Sequence, residues 1–172
     1  MRTLITGGVK SGKSAYALLC AERFEQPRYF LATAEAFDDE MKIKIARHQE
    51  ERQGKFITIE EPLAIHAALH ENIILDCIPL WLNNMLYYGR EADIETELDR
   101  FLQRLPRNIV IVTNEIGLGF IPADALSRRY GELLGRINIR LASACDDVIL
   151  MVSGLPVHVK TLERAFGHVT ES

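Results

Sequence analysis

The chain has 172 residues and a net charge of −4, with 48% hydrophobic and 26% charged residues. That is the composition of one ordinary globular domain, long enough to bury about two-thirds of its unfolded surface. The acidic balance argues against a broad nucleic-acid or anionic-membrane surface and leaves room for a local basic site.

From the amino end, Thr3-Leu4-Ile5-Thr6 is a short β-prone run, and Gly7-Gly8-Val9-Lys10-Ser11-Gly12-Lys13-Ser14 after it is a complete G-x-x-x-x-G-K-S phosphate loop. A helix is expected over Lys13–Arg23. Strand, glycine-rich turn and helix in that order are the context the motif needs. The glycines let backbone N–H groups turn toward phosphate oxygens, and the helix N-terminus adds a favourable dipole. Lys13, read as an exposed loop lysine, would reach the β- and γ-phosphates, and the Ser14 hydroxyl would hold Mg²⁺. The alternative is a chance glycine-rich turn, but the flanking pattern points to a nucleoside triphosphate site.

Beyond the loop the chain alternates. A strand is expected at Arg28–Ala32, a helix at Asp38–Arg52, a strand at Phe56–Ile59 and a helix at Pro62–His70. Next come a strand at Asn72–Cys77, helices at Pro79–Tyr87 and Asp93–Leu105, and a strand at Asn108–Thr113. A long helix at Ala123–Ala144 and strands at Asp147–Val152 and Pro156–Lys160 complete the pattern. Continuous apolar runs such as Ile73-Ile74-Leu75 and Ile109-Val110-Ile111-Val112 suit strands covered on both faces, as in a parallel α/β sheet. Neither a repeat nor an interdomain linker is visible, so residues 1–172 read as a single nucleotide-binding domain.

The cysteines Cys20, Cys77 and Cys145 are odd in number and far apart, which suits reduced thiols in a reducing compartment. No apolar run approaches the roughly 18 residues of a membrane span. The first strand begins almost at Met1, so no signal peptide fits and the expected location is the cytoplasm.

Ligands of such sheets sit beyond the strand carboxyl ends, which shortlists Thr33, Glu60, Asp76, Asn114, Glu115 and Ser153. Asp76, an acid closing an apolar strand, reads as the second half of a phosphate-loop site that would bind Mg²⁺ directly or through water, the alternative being an acid facing solvent in an ordinary loop. Glu115 would orient a nucleophile or a metal-bound water, or simply accept from backbone N–H groups of its own loop. The nearby Gly117-Leu118-Gly119 marks a loop that comes close to a ligand or partner. Thr33 reads equally as a phosphate ligand or a turn hydroxyl, and Glu60 as a site residue or the acid that opens the next helix. His48 shares one helical face with Met41 and Ile45. It is either a packed histidine or, among Lys44, Arg47 and Arg52, a nucleophile toward phosphorus. His66 and His70 have the spacing of a helical metal pair but lack a third ligand, so a solvated helix face is expected. Trp81, Leu82, Met85 and Leu86 follow helical spacing and read as core or a subunit contact.

On these residues the chain resembles the bifunctional adenosylcobinamide kinase / adenosylcobinamide-phosphate guanylyltransferase family. The likeness runs from Leu4 through Ser14, then Ala32-Thr33-Ala34, Asp38-Asp39-Glu40-Met41 with Ile45 and His48 in register, and Asp76-Cys77-Ile78. It continues through Val112-Thr113-Asn114-Glu115-Ile116-Gly117-Leu118-Gly119 and Val152-Ser153-Gly154. The resemblance implies a RecA-like phosphate-loop fold and a homotrimer. It implies phosphorylation of adenosylcobinamide by ATP or GTP, then transfer of GMP from GTP onto that phosphate, with Mg²⁺ assisting. It also implies that His48 is the guanylylated nucleophile. Gly7 to Ser14, Ala32, Thr33, Ala34, Gln49, Glu50, Glu51, Arg52, Glu60 and Asp76 fall on nucleotide-contacting positions. The chain departs from another member by carrying Arg47 for a histidine, Glu51 for a glycine and Asp76 for a glutamate. A monofunctional small-molecule kinase with a structural His48 and a RecA-like ATPase binding module are the competing readings. The second of these calls for basic, aromatic-interleaved surfaces that this acidic chain lacks.

Overall fold

A computed structural model describes residues 1–35, 54–119 and 122–161. Seven strands form one sheet: β1 (Arg2–Gly7), β2 (Tyr29–Ala32), β3 (Ile57–Glu60), β4 (Ile73–Asp76), β5 (Ile109–Val112), β6 (Asp147–Val152) and β7 (Leu155–Lys160). Their order across the sheet is β3-β2-β4-β5-β1-β6-β7. All neighbours run parallel except the β6–β7 hairpin, so each expected strand is present and the sheet is mostly parallel. Among the described residues four α-helices flank it: α1 (Lys13–Ala21), α2 (Ile78–Tyr87), α3 (Ile94–Gln103) and α4 (Ala125–Ala144). The architecture is that of a RecA-like phosphate-loop protein, with β5 set between the phosphate-loop strand β1 and the acid-bearing strand β4.

The apolar runs are explained by burial on two sides. Odd and even positions of each central strand enter different cores. Leu4, Leu31, Ile73, Leu75, Ile109 and Ile111 pack with Trp81, Leu82 and Met85 of α2, Leu98 and Phe101 of α3, and Leu134 and Leu141 of α4. Ile5, Phe30, Ile74, Val110 and Val112 pack with Ala17 and Ala21 of α1 on the opposite face. Trp81, Leu82 and Met85 are thus core residues. Asp124 caps α4 by accepting from the Ser127 N–H at 2.7 Å, which satisfies one of the donors a helix start leaves free.

The expected helix over residues 62–70 reduces to a single 3₁₀ turn at Ile65–Ala68. The carbonyls an α-helix would use are taken by α2 instead. The Trp81 indole donates to Leu63 O at 2.9 Å, and the Asn84 amide donates to Pro62 O at 3.2 Å. The two histidines of this stretch therefore do not share a solvated helix face. His66 is half-buried, with Nδ1 against the buried carboxylate of Glu97. His70 stacks on Tyr29 with ring centroids 4.3 Å apart. The expected helix at residues 38–52 lies outside the described residues. Among those described, no helix is long and apolar enough to cross a membrane.

At the foot of α4, burial pushes the Cys145 thiol from 9.0 up to about 12. The unfolded chain therefore ionises this thiol before the folded one does. Its contribution to stability is complete below about pH 9 and is lost progressively as pH rises toward 12. We expect the urea midpoint to fall from about pH 8.5 to 10, and the fall to be shallower in Cys145→Ala. Parallel pH profiles for the two proteins would show that the thiol is not the titrating group.

Candidate active site

Strand register brings the site together. Ala32 pairs with Glu60 on one side and with Asp76 on the other, and Asp76 pairs with Val112, which pairs with Ile5. Glu60, Ala32 and Asp76 thus stand in one row at the carboxyl edge, and the phosphate loop leaves β1 two residues beyond Ile5. Thr33, buried at 0% exposure, fixes the edge where β4 turns into α2. Its N–H donates to Asp76 O at 3.2 Å, its hydroxyl donates to Cys77 O at 2.8 Å, and the Cys77 N–H donates to the same hydroxyl oxygen at 2.9 Å. The buried Asn84 amide donates to Thr33 O at 2.7 Å. The turn-hydroxyl reading of Thr33 is the one its side chain adopts, and it positions Asp76. The Asp76–Cys77 peptide is cis.

The loop itself depends on close backbone approach. A Cβ on Gly7 (φ +145°) would lie 2.5 Å from Met151 O, and one on Gly12 (φ +93°) would lie 3.3 Å from the Gly154 Cα. The Gly154 N–H donates to Ser11 O at 3.1 Å, so the β6–β7 turn at Ser153-Gly154 braces the loop. This explains the place of Val152-Ser153-Gly154 in the pattern, which no single-strand reading of the sequence supplies. Lys10 is held at φ +55°, Val9 is exposed, and Ser14 is exposed on the first turn of α1.

Lys13 corrects an expectation: it is buried, with 8% exposure, rather than exposed. Its ammonium donates to Gly8 O at 2.5 Å and to the Ser11 hydroxyl at 3.5 Å. Burial pulls its pKa below the usual lysine value, while the neighbouring Cys77 thiol and Asp76 carboxylate push it back up. Asp76 therefore lies within electrostatic range of the phosphate-loop lysine. A poorly solvated cation interacts with phosphoryl charge more strongly than a hydrated one.

Ser14 and Asp76 offer a hydroxyl and a carboxylate, hard oxygen donors of the kind Mg²⁺ combines with water and substrate phosphate oxygens. Among the described residues no three His, Cys, Asp or Glu side chains converge as a closed metal cage. Glu115 takes the local role: Oε1 accepts from the Gly117 N–H at 2.7 Å, and its own N–H donates to Gly7 O at 3.1 Å. The acid opening the turn after β3 is Glu61, which accepts from Leu63 and Ala64, leaving Glu60 in the site row. Ala34 follows Thr33 at the end of β2. His48, Gln49, Glu50, Glu51 and Arg52 lie outside the described residues, in the segment that follows Glu35.

A family model for cobinamide kinase / cobinamide phosphate guanyltransferase matches residues 3–159. This chain belongs to that family. The bifunctional adenosylcobalamin biosynthesis protein CobP of Pseudomonas aeruginosa is 38% identical over 93% of this chain and 98% of its own. Its counterpart CobU of Escherichia coli is 34% identical over 93% of this chain and its full length. Among solved structures, the flagellar accessory protein FlaH of Methanocaldococcus jannaschii is 16% identical, with a TM-score of 0.48 over 92% of this chain and 77% of that one. The match spans the phosphate loop, the segment bearing His48, and Asp76.

Lys13→Ala should lower phosphoryl transfer by about 10²- to 10³-fold, as the loss of one preorganised charge stabiliser does. It should also lower stability by about 1 kcal/mol through the lost bond to Gly8 O. Steady-state kinetics and urea titration read the two effects separately, and near-normal turnover would remove this loop from the donor site.

Proposed function

We propose that this chain phosphorylates the aminopropanol hydroxyl of adenosylcobinamide with ATP or GTP, and then transfers GMP from GTP to that phosphate. The products of the second step are adenosylcobinamide-GDP and pyrophosphate. The observation that carries the reading is the family match over residues 3–159, in a chain that sets a buried phosphate-loop lysine within electrostatic range of Asp76 at the sheet's carboxyl edge. In the first step the amides of Gly8 to Ser14 and the Lys13 ammonium hold the β- and γ-phosphates. They stabilise charge as the γ-phosphoryl group passes to the acceptor hydroxyl. Ser14 and Asp76 would hold Mg²⁺, which supplies positive charge between phosphate oxygens. The Thr33–Cys77 hydrogen bonds fix the backbone next to Asp76, which supports that role.

In the second step His48 is the nucleophile. A neutral imidazole nitrogen attacks the α-phosphorus of GTP, the bond to the β-phosphate oxygen breaks, and pyrophosphate leaves. An oxygen of the acceptor's phosphate then attacks the phosphorus–nitrogen bond and releases the imidazole. Splitting the transfer in two means that GTP and the corrinoid need not be aligned together. The bases Lys44, Arg47 and Arg52 favour the neutral imidazole. Gln49, Glu50, Glu51, Arg52, Ala32, Thr33, Ala34 and Glu60 are the remaining proposed nucleotide contacts. The cysteines Cys20, Cys77 and Cys145 form no disulfide, which suits a cytoplasmic enzyme.

GTP labelled at the α-phosphate should leave GMP on the protein through an acid-labile, base-stable bond, with labelling falling as pH drops and the imidazole protonates. His48→Ala should abolish this labelling and guanylyl transfer while retaining part of the phosphorylation. Continued labelling of His48→Ala would place the nucleophile elsewhere. Transfer of γ-label alone by the wild-type protein would make the chain a monofunctional kinase.

A homotrimer is part of the same proposal. Leu155, Val157 and Val159 expose an apolar stripe on the edge strand β7. The groove of about 480 Å³ between β6–β7 and α4 is lined by Leu118, Ile139, Leu150 and Val159. Edges of this kind are normally covered or charged. Light scattering should give three chains per particle, falling to one in Val157→Lys. An unchanged mass in that variant would move the interface to another face.

A further inference from the structure

The acceptor must bring its hydroxyl to Lys13 and Asp76, and the phosphate loop is built for anionic phosphate, not for a corrin ring. A second recess lies beside it. Asn83, Leu86 and Tyr87 of α2 face Leu126, Ser127 and Tyr130 of α4 across a cleft of about 450 Å³. Leu126 is 74% exposed and Tyr87 is 68% exposed, an apolar pair that no core explains. None of the six lining residues is charged, so the cleft offers nothing to a triphosphate. Two phenol rings and two leucines make an apolar bed, and the Asn83 amide and Ser127 hydroxyl add uncharged hydrogen-bonding groups.

The two helices that form the cleft are tied to the carboxyl edge of the sheet. The Tyr130 hydroxyl donates to Pro79 O at 2.9 Å, and Pro79 is three residues from Asp76. Asn138 of α4 is held at the carboxyl edge of the sheet, where Thr113 donates to its side-chain oxygen and its amide donates to Asn114 O. The helix from Leu126 to Asn138 rises ~18 Å at 1.5 Å per residue, so its first turns overhang that edge. The other end of α2 reaches the opposite side of the site. The Tyr88 hydroxyl next to Tyr87 donates to Glu35, the last described residue before the segment bearing His48.

We propose that this cleft binds one edge of the acceptor's corrin ring, an inference that rests on the two-step reading above. The ring is an uncharged-faced macrocycle with methyl groups and amide arms at its rim. Tyr87, Leu86, Leu126 and Tyr130 bury its apolar edge, and Asn83 and Ser127 bond its amides. The aminopropanol arm then extends toward the carboxyl edge of the sheet, where Asp76 stands. Because the same docked ring serves both steps, substitutions in the cleft affect phosphorylation and guanylyl transfer alike.

The test uses the full chain, with Leu126→Glu and Tyr87→Ala as exposed substitutions that leave the cores untouched. Cobinamide binding is followed by its visible absorbance in equilibrium dialysis, with nucleotide binding and α-labelled GMP uptake measured alongside. Each variant should raise the cobinamide Kd and KM at least about tenfold. The nucleotide Kd, GMP uptake and kcat at saturating acceptor should stay within about twofold of wild type. Wild-type cobinamide affinity in both variants overturns the cleft assignment while leaving the two-step reading intact. A wild-type chain that binds no cobinamide overturns the two-step reading itself. A weakened nucleotide Kd would make the cleft a nucleoside pocket, and a changed particle mass would make it a subunit contact. Either result also overturns the proposal.

Discussion

Everything catalytic here depends on how closely β1 approaches β6 and the turn beyond it. Gly7 meets Met151 O where any side chain would clash, and Gly12 meets Gly154 with little room to spare. The phosphate loop is therefore clamped between a central strand and the β6–β7 hairpin, not merely attached to the end of β1. Its amides are aimed before a ligand arrives, and so the ordering of the loop does not draw on binding energy.

A second constraint holds the acid. Thr33 spends its hydroxyl on both sides of the Cys77 peptide, and Asn84 from α2 holds the Thr33 carbonyl. The ends of β2 and β4 and the start of α2 thus form one hydrogen-bonded unit that carries Asp76. β5 stands between this unit and β1, so one strand separates the end of β4 from the strand that leads into the phosphate loop. Burial of Lys13 raises the strength of its interaction with phosphate oxygens and also makes the lysine part of the loop's own structure.

The two faces of the molecule are specialised differently. α1 covers one side with a small core, while α2, α3 and α4 build a larger one on the other. Salt bridges from Arg129 to Glu91 and from Arg140 to Glu95 and Asp99 tie α4 to the start of α3 and the turn before it, keeping α4 upright. Each is exposed and contributes little by itself. Their value is alignment of α4 against α3.

Much of this was legible in the residues. The seven strands and the two-sided sheet follow from β-prone apolar runs, and the phosphate loop from its motif in a strand–helix setting. The position of Asp76 at the carboxyl edge is legible too, because it is the first polar residue after an apolar run. Local pattern did not reveal residues whose partners are distant in sequence. Trp81 and Asn84 take the carbonyls that a helix over residues 62–70 would need, and Glu97 and Tyr29 separate His66 from His70. Burial of Lys13 and the clamp at Gly7 likewise come from β4, β6 and their turns packing around the loop. Periodicity and motif spacing record each segment's own preference, whereas competition for hydrogen-bond partners and the exclusion of water are settled only when the segments meet.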